Sequence, residues 1–351
     1  MPNKKARIKD IAKLAGVSIG TVDRVLHQRG EVAEKTRVKV QKILEDTSYS
    51  PNVMAQVLKT KKRYHIVSLL PTPSDDNPFW LRHPLGMIRA INELEPFPVL
   101  LTQVTFDILS EDDFQRKAET VIKLKPDGVL LAPIFKSESS LFCSLLKESD
   151  VPFVLIDGLV ENTGFLTYVG ENTFQSGRVA GELIGMITPS DGDILIVTIA
   201  KNIKNVHHLS KRSDGFIDYF ATTNLNKGRK INITIPEPTA GSVRTAMDEV
   251  MPKNHNFKSV FITGSRSYLI AEYLNERKSN AINLIGYDLI EPNVKYLKSG
   301  VTRFLISQRP EEQTYRGIRK LFDYLYLHKV PEKIEYLPVD IITSENVDYF
   351  I

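Results

Sequence analysis

With 351 residues, 42% of them hydrophobic and 25% charged, the chain can bury a large core and divide into two or three domains, which excludes a disordered polymer. A single cysteine, Cys143, rules out an internal disulfide; no apolar run approaches bilayer length and no apolar segment follows the basic opening MPNKKARIKD, so the expected setting is the reducing cytoplasm. Net charge is only +4 but lopsided: residues 1–63 hold 15 Lys and Arg against 6 Asp and Glu and the remainder holds 31 against 36, which fits either a polyanion-gripping head or a solvated basic tail.

The first elements read as helices. Ile8, Ile11, Ala12 and Ala15 recur at three- and four-residue spacing, Gly16 fits a C-cap, and Ser18 fits the N-cap of a second helix. In that helix Val22, Val25 and Leu26 form the inward face, leaving Ile19, Gly20, Asp23, Arg24 and His27 outward. A third amphipathic segment runs from about Glu34 to Thr47. Two short helices at a sharp turn with a supporting third make a helix-turn-helix, which can set its second helix in a major groove while the Ser18 and Thr21 hydroxyls hold phosphates. An ordinary αα-hairpin shares this spacing.

Residues 7 to 60 carry more specific marks: KDIAKLAGVS, TVDRVL, the V-x-x-x-TR of Val32, Thr36 and Arg37, and the Y-x-PN of Tyr49, Pro51 and Asn52. Together they closely resemble the headpiece of the lac repressor/galactose repressor (LacI/GalR) family. The resemblance implies that residues 19–27 form a recognition helix with Ile19, Gly20 and Arg24 at base-reading positions, where arginine suits the O6 and N7 of guanine. It carries Thr36, Tyr49 and Asn52 over as DNA-contacting positions. It also implies a hinge helix over Asn52–Thr60, marginal alone, that pairs with a second copy through Ala55 and wedges Leu58 into the minor groove. There are departures. Gly20 offers no side chain to a base, Gln56 replaces a common arginine, and Asp23 stands where the family usually has serine, either accepting from cytosine N4 or steadying Arg24.

From Tyr64 onward short apolar runs alternate with helical periodicity. HIVSLLP, FPVLLTQV, GVLLAP, FVLIDG, DILIVTIA, KINITIP, SVFITG, INLIGYD and RFLISQ read as strands, rich enough in Val, Ile and Leu to be covered on both faces. So many β–α units exceed one comfortable sheet, so two similar α/β lobes with parallel sheets are expected, with ligand held beyond the carboxyl ends of their strands. The resulting plan is an all-α helix-turn-helix headpiece over residues 1–49, a hinge over 50–63, and a two-lobed ligand-binding and dimerisation domain over 64–351.

This body resembles the type I periplasmic sugar-binding fold that forms the sensor half of the same family. The resemblance implies ligand-facing positions at Asn77, Phe79 and Trp80 in the NPFW loop and at Asp157, Asp288 and Gln308 at strand ends, with YVGENTFQSGRVAG crossing between lobes. Carboxylates and the amide suit sugar hydroxyls and the aromatic rings suit a sugar face, although an acidic strand end also caps turns. At VHHLSKRSDGF, Ser210 stands where relatives carry a ligand-gripping arginine, beside His207 and His208. At FITGSRS, Gly264 and Ser265, followed by Arg266, replace an Asn-Asp pair. The HH spacing does not suit a metal, and no cofactor is expected. No nucleophile elbow, GxGxxG or HExxH supports an enzyme. The expected function is a bacterial DNA-binding regulator that reads a pseudopalindromic operator as a homodimer under the control of a small ligand, a sugar or sugar derivative. A partner protein, a non-sugar metabolite, or a sugar-acting enzyme are the alternatives.

Overall fold

The computed structural model describes residues 7–26, 30–47, 49, 62–74, 78–200, 207–251, 256–279 and 281–351. The hinge helix expected over Asn52–Thr60, with Asn52, Ala55 and Leu58, lies outside the described residues, as do His27 and Asn77.

Three helices form the head: α1 (Ile8–Ala15), α2 (Ile19–Leu26) and α3 (Glu34–Asp46). The Asp10 carboxylate accepts the Arg7 backbone N–H at 2.9 Å and so opens α1. Gly16 closes it in the left-handed conformation, φ +66°, which lets the Gly16 and Val17 N–H groups return to the Lys13 and Ala12 carbonyls. Ile11, Ala12, Ala15, Val22, Val25 and Val40 are buried together, with Leu26, Val32 and Tyr49 packed against them.

Two six-stranded sheets form the body. The first combines β1 (Tyr64–Pro71), β2 (Val99–Phe106), β3 (Gly128–Leu131), β4 (Phe153–Ile156), β5 (Thr167–Gly170) and β11 (Ile334–Tyr336), in the order β11-β5-β4-β3-β1-β2, every pairing parallel. The second combines β6 (Asp193–Ile199), β7 (Lys230–Ile235), β8 (Phe257–Ile262), β9 (Asn283–Tyr287), β10 (Thr302–Ser307) and β12 (Asp340–Ile342), in the order β12-β10-β9-β8-β6-β7. Only β12 runs antiparallel, against β10. The near-continuous apolar runs have their reason in the two covered faces. In β1, Ile66 and Leu70 enter one core cluster and Val67 and Leu69 the other; in β6, Leu195 and Val197 face one and Ile194 and Ile196 its opposite.

The covering helices are α4 (His83–Leu94), α5 (Glu111–Lys123), α6 (Lys136–Glu148), α7 (Thr173–Ile187), α8 (His207–Thr223), α9 (Ala240–Val250), α10 (Ser267–Glu276), α11 (Glu291–Lys298) and α12 (Pro310–Leu327). The chain passes between the lobes three times. β5 of the first sheet leads to α7, whose Ala180 and Ile184 lie in the second lobe's core. β10 leads back to α12, whose Ile318, Leu321 and Phe322 lie in the first lobe's core, and β11 then leads to β12. All the strands expected from the sequence are present, and β5, β11 and β12 are additional.

Candidate functional site

On the head, Ser18 begins α2: its Oγ accepts the Thr21 backbone N–H at 3.1 Å and shares a hydrogen bond with Thr21 Oγ1 at 2.9 Å. The N-terminus of α2 therefore presents two hydroxyls at the positive end of a helix. Ile19 is exposed, as are Gly20 and Arg24, which together form one outward surface. Arg24 Nε donates to the Gly20 carbonyl at 3.3 Å. Asp23 is half-buried near Tyr49: burial first, then the Asp23 charge, push the Tyr49 phenol above its usual pKa. Thr36 sits half-buried in the first turn of α3, its N–H donating to the Ala33 carbonyl.

Between the lobes, at the carboxyl ends of the strands of both sheets, lies a cleft of about 1170 Å³. Its first-lobe wall includes Phe79, Trp80, Asp157 and Glu171, and its second-lobe wall His208, Arg212, Gly264, Ser265 and Gln308. Trp80 reaches the cleft while stacked on His83, ring centroids 4.3 Å apart, and edge-on to Phe79.

At the floor is Arg212, 1% exposed, delivered by α8. Its Nε donates to Glu171 Oε1 at 2.7 Å, its Nη2 to the same oxygen, and its Nη1 to the Thr263 carbonyl at 2.8 Å. The guanidinium also lies 3.8 Å over the Tyr287 ring. Burial works against this charge, but Glu171, Tyr287 and Asp288 outweigh it and hold the proton on more firmly than usual. The position depends on glycine: a Cβ on Gly177 of α7 would stand 2.0 Å from the Arg212 carbonyl oxygen, so only glycine allows α7 and α8 to approach this closely.

Asp157 and Asp288 end β4 and β9, both in the left-handed region at φ 63° and 68°. Asp288 accepts from Ser265 Oγ at 2.7 Å and from Gln308 Nε2 at 2.9 Å, and Asn293 pins the loop by donating to the Asp288, Tyr287 and Ser265 carbonyls. Burial raises its pKa to about 6, opposed by Arg212 and its donors. The Asp157 carboxylate accepts no hydrogen bond from any described residue; its backbone N–H donates to Gln313 Oε1 at 2.8 Å. Burial lifts its pKa to about 7, with Arg212 opposing and Glu171 and Asp288 reinforcing.

The structure thus brings Phe79, Trp80, Asp157 and Gln308 to the cleft. Asp288 stands behind Gln308 and lines a smaller cavity of about 230 Å³ beside it. Ser210, set in the sequence against the family's arginine, is half-buried and absent from the cleft lining, whereas Arg212, two residues on, lines it. Arg212 and Glu171 were missed, although the i, i+4 spacing of His208 and Arg212 places both on one face of α8. Among the described residues, no group of three His, Cys, Asp or Glu side chains converges as a metal requires.

A helix-turn-helix head with an exposed reading face, joined to a two-lobed body with a polar cleft, defines a DNA-binding regulator with a ligand-sensing domain. Residues 66–328 match the periplasmic binding protein domain family, and residues 7–52 match the bacterial regulatory proteins of the lacI family. The chain belongs to the LacI family of bacterial transcriptional regulators, and is a regulator rather than an enzyme. It is similar to the ribose operon repressor of Lactococcus lactis subsp. lactis, 25% identical over 292 residues and 81% of each chain. It is also similar to the transcriptional repressor PurR of Yersinia pestis bv. Antiqua, 25% identical over 339 residues, 95% of this chain and 94% of that one. Among solved structures, a candidate LacI transcriptional regulator from Bacteroides fragilis superposes with a TM-score of 0.75 at 28% identity, covering 83% of this chain and 100% of that one.

Proposed function

We propose that the chain represses transcription by binding a pseudopalindromic operator as a homodimer, and that a sugar or sugar derivative closing the interlobe cleft changes its hold on DNA. The observation that carries this reading is the joining, in one chain, of an exposed α2 surface to a cleft floored by carboxylates, a guanidinium and an amide. In this reading Ser18 and Thr21 hold phosphates, Ile19, Gly20 and Arg24 face bases, and His27, Thr36, Tyr49, Asn52, Ala55 and Leu58 complete the DNA contact. Asn77, Phe79, Trp80, Asp157, Asp288 and Gln308 serve the ligand, joined by Arg212 and Glu171.

Two further features support it. A cleft of this size and polarity suits a small polar effector better than control by a partner protein alone. Leu81, Leu85, Ile88 and Ile91 leave a row of exposed apolar side chains along α4 and the turn before it, the kind of face that a second copy covers. Ligand control requires only that the effector prefer one lobe arrangement by a few kcal/mol, on the order of 1–3.

The test is selection of genomic fragments by the purified full-length protein, followed by footprinting across salt concentrations and with a sugar panel. A salt-sensitive preference for a two-fold symmetric site is expected. Arg24→Ala should relax the choice at one base position of each half-site, at a cost of about 1–3 kcal/mol. No preference for any fragment, with or without sugars, would reject the reading.

A further inference from the structure

The buried floor of the cleft is short of positive charge. Asp157 and Glu171 on the cleft lining and Asp288 just behind it are each under a tenth exposed and within electrostatic reach of one another. Among the described residues, the one buried cation beside them is Arg212. A single Glu171 oxygen takes the Arg212 Nε and Nη2 donors, and the other, Oε2, is buried with no hydrogen-bond partner among the described residues. Asp157, at the cleft wall, presents a carboxylate that accepts nothing from the described residues.

The surroundings do not make up the difference. On the exposed rim Glu111 and Glu161 balance Lys136 and Lys211; half-buried Arg266, which like His208 already has a partner, adds one positive charge, so that three acids, Asp157, Glu171 and Asp288, face two cations, Arg212 and Arg266. A neutral polyol would bring hydroxyl donors and leave the charge imbalance untouched. A protonated amine brings three N–H donors and the missing positive charge in one group.

We propose that the effector carries a protonated amine beside its hydroxyls, as an amino sugar does, with Asp157 and Glu171 Oε2 receiving its N–H groups. The proposal rests on the cleft being the effector site. Asp157, held near neutrality in its titration, is a group that a bound cation would drive fully to the carboxylate.

Calorimetry and thermal shift on the full-length protein would compare glucosamine, galactosamine and mannosamine with glucose, galactose and mannose and with the N-acetylated amines. At least one amine should bind roughly tenfold more tightly than both of its uncharged counterparts, the increment of one charge-assisted hydrogen bond. Asp157→Asn, which tolerates the left-handed backbone, and Glu171→Gln, which keeps the side-chain shape, should each shrink that margin. Far-UV circular dichroism reports whether each variant is folded. Neutral sugars binding as tightly as the amines would overturn the proposal and leave the cleft a sugar site. A margin retained in both folded variants would overturn it too, and silence from every compound would overturn it together with the sugar reading.

Discussion

Asp157 and Asp288 occupy matching places, each after a strand, each left-handed, each buried, yet among the described residues Asp288 has donors for its carboxylate and Asp157 has none. That difference accompanies titration near 7 for Asp157 and near 6 for Asp288, against the usual 3.8. A carboxyl raised in this way keeps its proton in the folded chain at a pH where the unfolded chain has lost it, so the folded state gains at low pH and that gain disappears as pH rises from about 4 toward 7. The melting temperature of the ligand-free protein should therefore fall between pH 5 and pH 7.5. Asp157→Asn should flatten the fall and raise the melting temperature at pH 7.5; an unaltered slope in thermal melts would exclude Asp157 as its source. The sequence made such polar strand ends legible, because a charged residue closing an apolar run has few places to point. It hid Arg212, because SKRSD carries no apolar periodicity to set the helical phase, and two residues along a helix turn by about 200°. Glu171 was hidden inside a stretch read as a crossing, where its burial depends on α8 packing over it.

Among the elements, the head shows why two glycines four residues apart play different parts. Gly16 is left-handed at φ +66° and forms the turn between α1 and α2, whereas Gly20 is helical and a Cβ there would meet only Ser18 Oγ, at 3.7 Å. Gly16→Ala should destabilise the head by about 1–2 kcal/mol, and Gly20→Ala should stabilise it by up to about 1 kcal/mol. Hydrogen exchange of the α1 and α2 amides in the full-length protein measures both, and a shared sign would refute this account of the turn. The same local signals made the helix-turn-helix and the long apolar strands readable from sequence. β5, β11 and β12 were not readable for a physical reason. They are three or four residues long, and residues such as Glu335 and Asp340 join their sheets through partners far away in sequence, so neither length nor pattern marks them.

At the scale of the whole molecule, α4 connects the cleft to the outside. The turn before it carries Phe79 and Trp80, and His83 binds Thr314 of α12 through Nδ1 at 2.8 Å. A Cβ on Gly86 would sit 2.1 Å from the Glu311 carbonyl oxygen, so α4 and the returning helix α12 are in close backbone contact. Where the linker enters the first lobe, Lys62 pairs with Asp127 at 2.7 Å. The opposite face of α4 exposes 46% of Leu85 and 52% of Ile88, so charges placed there meet solvent in a single chain and leave its core untouched. In a dimer built on that face, the same charges would be buried without partners at a cost of several kcal/mol. Leu85→Asp combined with Ile88→Asp should therefore give a monomer by sedimentation with an unchanged circular dichroism spectrum. Two heads joined in one dimer bind their second half-site at an effective concentration in the millimolar range, so the monomer should lose roughly 100-fold or more in operator affinity. A variant that remains dimeric would move the subunit interface to another face of the body, and a monomer that retained full operator affinity would remove dimerisation from the mechanism.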